Sequence, residues 1–289
     1  MGLSSFSGIL KACGDEGKDF FRIVLEAQCR ENGCSEDEAL HTMRSMWAAM
    51  LDAESGYKAS DRSASGLSGG DGKKFEDYAL GGKSLCGGLT TKMIAVALKT
   101  AESNACMKRI VASPTAGSCG VLPAVLIPLF HEGMFGEEEI IQALFVAAGT
   151  GQVIASRATI SGAEGGCQAE VGSASAMAAA ALVFLKGGNA EQVCNAAGFA
   201  LQNLLGLVCD PVAGLVEVPC VKRNVMGVMN ALSCADMALA GLAAHIPADE
   251  IVDAMKTVGR MLPTDLRETG RGGLAATPWG REFSRSFFL

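Results

Sequence analysis

The sequence predicts an all-α fold in a single domain that spans residues 1–289. Several long segments repeat apolar residues at the three- and four-residue spacing of a helix that buries one face. Strand signals are almost absent, because β-branched residues are sparse and no Asn-Gly or Asp-Gly turn joins two alternating runs. The chain is also long enough to bury a substantial core. We therefore expect about ten helices joined by Gly- and Pro-rich functional loops.

The first part of the chain divides into a helical segment and a loop region. Residues 1–55 are predicted to be helical, and Ser35 caps a segment whose first turn is acidic. Gly2 does not open an N-myristoylation signal, because Phe6 stands where that signal has Ser or Thr. Residues 56–90 are rich in Gly and Ser. They predict a loop region, either a flexible linker or a glycine loop through which backbone approaches a ligand.

The remainder of the chain alternates helical patterns with Gly- and Pro-rich loops. The segment 137–155 begins with three glutamates, whose charge suits a helix N-terminus. The tail RETGRGGLAATPWGREFSRSFFL is rich in Gly and is predicted to be irregular. Further helices are predicted over 90–106, 174–185, 190–206, 225–243 and between Pro247 and Pro263.

Charge and hydropathy exclude several classes of partner. The net charge of −7 and the isoelectric point near 5.1 argue against nucleic acid or an anionic membrane surface. The N-terminus has no basic flank followed by a long apolar run, so we predict no secretory signal. The longest apolar stretches break well short of the ~20 residues of a membrane span, and they are rich in Ala. We expect a cytoplasmic protein with a core of small side chains.

The eleven cysteines do not predict disulfide bonds. Their number is odd, and they are scattered from Cys13 to Cys234 without a repeating framework. Most of them, such as Cys29, Cys194 and Cys234, lie in apolar helical patterns. Because free cysteine is among the most buried residue types, we interpret these as core residues.

Three cysteines lie instead in turns punctuated by Gly and Pro. Cys167 occurs in ISGAEGGCQAEVGSASAM, and Cys209 and Cys220 bound the loop CDPVAGLVEVPC. Soft thiolates on irregular backbone suit zinc or an iron–sulfur cluster. Three ligands rather than four would leave one metal position open for a substrate. Two cysteines separated by ten residues are not a specific signal, so three ordinary buried thiols remain the alternative.

Other catalytic constellations find little support. The chain has no Walker A phosphate loop, and no G-x-S-x-G nucleophile turn follows a strand. The three histidines lie far apart in the sequence, and we expect them at the surface or at helix ends rather than on zinc. Lys83 and Lys222 lie in loops bounded by Gly or Pro, where a lysine could bind pyridoxal phosphate. The alternating βα units usual in such enzymes are not visible.

Four long motifs are similar to one known family. They are SPTAGSCGVLPA, ISGAEGGCQAEVGSASAMAAAA, CDPVAGLVEVPCVKRN and LRETGRGGLAATPWGR. In this order, over roughly residues 60 to 281, they resemble the α subunit of the iron–sulfur-dependent L-serine dehydratases (L-serine ammonia-lyases). That family converts L-serine to pyruvate and ammonia without pyridoxal phosphate.

The resemblance implies a metal site, a fold and a partner. It implies a 4Fe–4S cluster held by Cys167, Cys209 and Cys220, with the fourth iron free to act on L-serine as a Lewis acid. It further implies a largely helical catalytic domain and a separate β subunit. Arg157 differs from the usual pattern, because the family usually has an asparagine there, and the tail SRSFFL ends sooner than the resemblance leads us to expect. Cys119 stands where the family also accepts alanine. We leave Cys119 out of the ligand set.

The resemblance does not identify the group that removes the substrate's α-proton. The candidates for this group are Lys83, Thr115 and Ser161, or a group of the β subunit. Carboxylate recognition is assigned to Arg223 and Arg267, with Asn224 as an orienting residue. Two other functions stay open: an L-cysteine desulfidase with the same cluster chemistry, and an iron–sulfur redox or scaffold protein without catalysis.

Overall fold

The computed structural model describes residues 3–289, so Gly2 lies outside the described part of the chain. Within that part the chain folds into thirteen α-helices without a β-strand, which confirms the predicted fold class. The helices are α1 (Phe6–Glu16), α2 (Phe20–Asn32), α3 (Glu36–Ser55), α4 (Asp71–Leu80), α5 (Gly88–Ala105), α6 (Val121–His131), α7 (Glu137–Arg157), α8 (Gly162–Gly165), α9 (Ser173–Leu185), α10 (Ala190–Gln202), α11 (Cys220–Leu239), α12 (Ala248–Met261) and α13 (Pro278–Phe287).

Helix α9 is the centre of the molecule. Its alanines from Ala178 to Ala181 are fully buried, and α6, α7, α10 and α11 pack around it. A helix that is apolar on every side must be buried, and small side chains let the neighbouring helices approach closely. By length and composition, α7 and the continuous helical stretch Gln168–Leu185 could each cross a membrane. Their apolar windows are 67% and 83% buried inside the protein, as expected of core helices.

The N-terminal helices pack into the same core. Phe6, Phe20 and Trp47 are each only 1% exposed and belong to the main apolar cluster. The start of α1 is held by Asp249 of α12, whose carboxylate accepts the Phe6 amide at 2.8 Å. Carboxylates at a helix N-terminus satisfy donors that have no partner within the helix.

The region 56–90 contains a helix where the sequence predicted only a loop. Helix α4 begins after Gly70, which adopts a left-handed conformation with φ of 85°. The buried carboxylate of Glu102 holds this start in place. The sequence did not predict α4, because Gly and Ser dominate the residues before it. The carboxylate that holds its start comes from α5, which is distant in the sequence. Glu102 accepts hydrogen bonds from the Tyr57 hydroxyl (2.7 Å) and the amides of Gly69 (3.1 Å), Asp71 (2.8 Å) and Gly72 (3.0 Å).

A second buried carboxylate ties this region to the cysteine loop. We call residues 56–70 the serine strap. The Ser63 hydroxyl donates to Glu217 at 2.6 Å, and the Ser65 hydroxyl donates to the same carboxylate at 2.8 and 2.9 Å. Glu217 is 7% exposed and lies three residues before Cys220. The serine strap is therefore hydrogen-bonded to the loop that carries two of the candidate metal ligands.

The C-terminal tail is also more regular than predicted. It contains α13, which Thr277 caps by accepting the Gly280 amide at 3.1 Å. Pro278 occupies the first turn, where its missing N–H costs nothing. Trp279, Phe283 and Phe287 then recur every four residues and stack along one face. The prediction of an irregular tail was wrong here because the glycines that motivated it all lie before or within the first turn of the helix.

Candidate metal centre

Cys167 stands at the junction of a tight loop and a π-helical turn. The chain leaves α7 at Arg157, makes the single turn of α8 and reaches Cys167 through Gly166. Gly166 has φ of 78°, and a Cβ there would lie 2.8 Å from the Leu207 carbonyl oxygen. Residues Gln168–Gly172 form a π-helical turn that runs into α9. Such turns are rare and frequent at functional sites, because the extra residue redirects the side chains beside it.

Cys209 and Cys220 are positioned by the two ends of one loop. The Cys209 amide donates to the Leu266 carbonyl at 2.9 Å, and its carbonyl accepts the Glu268 amide at 2.7 Å. This short parallel pairing fixes the start of the loop against the tail segment. Cys220 is the first residue of α11, and its neighbour Pro219 supplies the N-cap. The two thiols therefore sit on backbone that the rest of the chain holds in place.

The three predicted ligands lie together. Cys167 and Cys209 share a small buried cluster and are each 3% exposed. The Cys167 thiol contributes to raising the pKa of both Cys209 and Cys220, and the Cys220 thiol contributes to raising that of Cys209, so the three thiols are near one another. Burial is the main cause: it raises the pKa of Cys167 to about 11 and that of Cys220 to about 12, and it raises the pKa of Cys209 as well. Metal binding would have to displace these protons.

The three thiols do not form a preassembled site for a single metal ion. Within residues 3–289, no three His, Cys, Asp or Glu side chains converge closely enough to bind one metal ion. An iron–sulfur cluster binds its cysteines on different irons, so its ligands need not meet at a point. Gly162 lies directly beside Cys209, because a Cβ there would lie 3.1 Å from the Cys209 sulfur. Three thiols are the type of donor that such a cluster takes.

Glu170 is a site residue that sequence reasoning missed. It lies in the π-helical turn three residues after Cys167, and its Oε2 is 3.7 Å from the Cys209 sulfur. Burial raises the pKa of Glu170, and a hydrogen bond from Thr115 acts in the opposite direction. Its motif, CQAEVG, offered the signal: an acidic residue in an otherwise apolar helix start. Thr115 is the predicted base candidate that the structure brings into this site.

Arg223 is engaged within the chain rather than left free for a substrate. Its guanidinium donates to the Val208 carbonyl at 2.8 Å and to the Asp210 carboxylate at 2.9 Å. Its positive charge also acts to lower the pKa of the nearby Cys167 thiol, against the effect of burial. The Arg223–Asp210 ion pair is almost buried, with side chains 14% and 4% exposed. This geometry makes Arg223 a residue that orients Cys167 and the cysteine loop, and it argues against the predicted substrate clamp.

Asn224 is likewise committed to the fold. Its side chain is fully buried. Oδ1 accepts the Gly120 amide at 2.9 Å, while Nδ2 donates to the carbonyls of Gly117 at 2.9 Å and Cys220 at 3.0 Å. Asn224 therefore joins the SPTAGSCG loop to the start of α11. No donor remains on its amide for a substrate, which argues against the predicted orienting role.

Arg267 retains unused donors beside the site. It follows Leu266 in the segment that pairs with Cys209. Its only recorded side-chain bond within residues 3–289 runs from Nη2 to the Thr264 hydroxyl at 3.3 Å. Its Nε is buried and has no hydrogen-bond partner in the described chain. A buried N–H without a partner is costly, so this guanidinium is suited to receive an anionic group.

The remaining predicted residues divide between the rim of the site and positions away from it. Ser161 precedes α8 and therefore lies next to Gly162 at the rim. Lys83 is exposed in the loop between α4 and α5. That loop and α5 border a cavity of about 550 Å³ that is separate from the cysteine site. Cys119 is fully buried, and its thiol points to the Thr100 carbonyl at 3.9 Å. Arg157 forms a salt bridge to Asp253 of α12 at 2.6 Å.

The described chain is all-helical and brings three cysteines from Gly- and Pro-rich segments into one buried region. This defines the class: a helical protein with a candidate site lined by thiols. A profile of the family described as serine dehydratase alpha chain matches residues 15–275. The chain belongs to that family, as its four motifs predicted.

Relatives support the same assignment over most or all of the chain. The probable L-serine dehydratase alpha chain of Bacillus subtilis (strain 168) is 55% identical over 226 residues, which cover 78% of this chain and 75% of that protein. The L-serine dehydratase alpha chain of Peptoniphilus asaccharolyticus is 43% identical over 286 residues, covering 99% and 98%. L-serine dehydratase 1 of Escherichia coli (strain K12) is 45% identical over 181 residues, covering 62% of this chain but 40% of that protein.

Proposed function

We propose that this chain is the catalytic subunit of an L-serine ammonia-lyase, which converts L-serine to pyruvate and ammonia. The observation that carries the proposal is the convergence of Cys167, Cys209 and Cys220 in a chain of the serine dehydratase alpha chain family. Two relatives, matched over 98% and 75% of their own length, are named as an L-serine dehydratase alpha chain and a probable L-serine dehydratase alpha chain.

The three thiolates would hold a 4Fe–4S cluster through three of its irons. When bound, such a cluster supplies a Lewis-acidic iron without a protein thiolate, which stabilises charge that develops on a substrate oxygen. The surrounding protein excludes water, since Cys167 and Cys209 are 3% exposed. Arg223 keeps a positive charge beside Cys167 and so favours the thiolate that the cluster needs.

The substrate's own charges match two side chains of the site. The guanidinium of Arg267, whose Nε has no partner in the described chain, suits the carboxylate of L-serine. The carboxyl of Glu170, beside Cys209, suits its ammonium group. Hydrogen bonds to charged groups are worth about 1.5–3 kcal/mol, so Arg267→Gln should raise KM by roughly tenfold or more while the iron content stays constant.

The group that removes the α-proton is proposed to come from a partner chain. Thr115 is bonded to Glu170 and Ser118. Lys83 is exposed in the loop between α4 and α5, and Ser161 offers only a weakly basic hydroxyl. The names of the relatives specify an alpha chain, and the E. coli relative is much longer than its matching segment. We propose a separate β subunit that completes the active site of a cytoplasmic enzyme. Titrating pure α chain with β chain should raise pyruvate formation at constant cluster content.

The main test uses protein purified without oxygen. We expect broad visible absorbance, about four irons and four sulfides per chain, and pyruvate release from L-serine in the presence of the partner. Cys167→Ser, Cys209→Ser and Cys220→Ser should each lose the iron, because a serine oxygen is harder and less readily deprotonated than a thiol. Cys119→Ser is the matched control: it alters a buried thiol outside the site, and should keep iron and activity.

Other results would redirect the assignment. Iron loss in Cys119→Ser with retention in Cys220→Ser would overturn the ligand set. Sulfide release from L-cysteine without pyruvate from L-serine would identify a desulfidase. A stable, full cluster with no turnover of either amino acid, with or without the partner, would identify a redox or scaffold protein.

A further inference from the structure

Two cysteines far from the metal centre meet at the end of α2. Gly33 ends this helix with φ of 64°, and its amide bonds to the Cys29 carbonyl. The Cys34 amide bonds to the same carbonyl at 3.1 Å. This six-residue closure is the Schellman arrangement, in which the side chains of the first and last residues touch. Here those residues are Cys29 and Cys34, and burial together with the neighbouring Cys34 thiol raises the pKa of Cys29.

Both thiols are reachable from solvent and are reduced in this structure. Cys29 and Cys34 are partly exposed, unlike the buried Cys119, Cys194 and Cys234. Ser35, the N-cap of α3, follows Cys34 directly, so a bond across the pair would close the turn between α2 and α3. A Cys29–Cys34 bond would therefore link two residues whose backbones already share a hydrogen bond.

We propose that Cys29 and Cys34 form a disulfide modification site that is independent of the metal centre. The oxidant is a low-molecular-weight disulfide such as oxidised glutathione. One cysteine thiolate attacks a glutathione sulfur, forms a mixed disulfide and releases one glutathione thiolate. The second cysteine thiolate then attacks the protein sulfur of that mixed disulfide, which forms the Cys29–Cys34 bond and releases the second glutathione. Two protein thiols are oxidised, and one glutathione disulfide is reduced to two thiols. The two protons that leave the cysteines are taken up, through solvent, by the two released glutathione thiolates.

The sequence provides a direct readout of this bond. Arg30 lies between the two cysteines, so trypsin separates Cys29 in the peptide 23–30 from Cys34 in the peptide 31–44. The experiment treats the anaerobically purified protein with oxidised glutathione, blocks free thiols, and maps tryptic peptides with and without reduction. We expect peptides 23–30 and 31–44 to be joined before reduction and separate after it. The intact chain should lose about 2 Da, the mass of two hydrogens, while its iron content is unchanged.

Two cysteine variants, and the detection of any other cysteine pair, test whether the bond joins Cys29 to Cys34. Cys34→Ser should abolish the joined peptides and leave Cys29 either free for alkylation or bound to one glutathione, because no second thiol is present to displace it. Cys13→Ser is the matched control, because Cys13 is another partly exposed helical cysteine and lies near the buried Cys194. It should leave the joined peptides intact. The proposal is overturned if Cys29 and Cys34 are alkylated equally before and after oxidation, or if either is joined instead to another cysteine.

Discussion

Replacing Gly162 with Ala tests whether the space beside Cys209 is needed for the metal group. A Cβ at this position would lie 2.4 Å from Glu170 Oε2 and 3.1 Å from the Cys209 sulfur. The first distance is far inside van der Waals contact, so Glu170 or the cysteine loop must move. Overpacking of this kind costs about 1–3 kcal/mol, and a midpoint of about 2 kcal/mol corresponds to roughly 30-fold weaker retention of the cluster. The backbone of Gly162 is not left-handed, so the cost is steric rather than conformational.

The assay follows iron per chain and visible absorbance during anaerobic dialysis against a chelator. Gly14→Ala serves as the control, because a Cβ at this position in α1 meets nothing within 4 Å. It should retain iron like the parent protein and be stabilised by up to about 1 kcal/mol. If Gly162→Ala loses iron no faster than Gly14→Ala, the metal group does not depend on the space that this site provides.

Three further substitutions test the fold around the site. Glu102→Gln should lower the free energy of unfolding by about 2–4 kcal/mol in urea titrations, because an amide group would face the backbone N–H donors that now share the carboxylate. The control Glu137→Gln, at the exposed start of α7, should change the free energy of unfolding by less than about 1 kcal/mol. Equal effects of the two substitutions would contradict the role of Glu102 in holding the start of α4. The hydrogen bond from Lys99 holds the pKa of Glu76 below its ordinary 4.5. The pairing therefore stabilises the fold fully above pH 4.5, and this stabilisation is lost as pH falls through the lowered folded-state pKa. Glu76→Gln should lower Tm more at neutral pH than at acidic pH, and a pH-independent difference would refute the pairing. Ala180→Leu should cost about 1–3 kcal/mol or more in the same urea titrations, because Ala180 is fully buried in α9; an unchanged midpoint would show that the core has room there.

Residues that act through local chemistry were predictable from the sequence. The capped start of α3 and the core of α9 each follow from the order of neighbouring residues. The three candidate ligands stood out because Gly and Pro surround them, and the structure brings them together. Their assignment to a cluster remains a prediction that the iron measurements will test.

Residues that act through distant partners were not predictable in this way. Arg223 and Asn224 stand beside a candidate ligand in the sequence, which favoured a substrate role for both. In the fold, Arg223 faces Asp210 and Cys167, while Asn224 spans two loops more than a hundred residues apart. Helix α4 depends on Glu102 for its start, and nothing in the Gly-rich residues before it reveals that partner. These choices are set by tertiary hydrogen bonds rather than by local pattern.

The pairing of Cys209 with residues 266 and 268 also determines when the centre can form during synthesis. The ribosome makes Cys167 and Cys209 well before it makes Glu268, whose amide holds the Cys209 carbonyl at 2.7 Å. Until that segment emerges, Cys209 lies on an unanchored loop of the nascent chain. Contacts between residues so distant in the sequence form late, because the loop between them must close first. Iron delivered to the growing polypeptide would therefore meet an incomplete site, and loading of the metal group should follow the folding of the C-terminal segment.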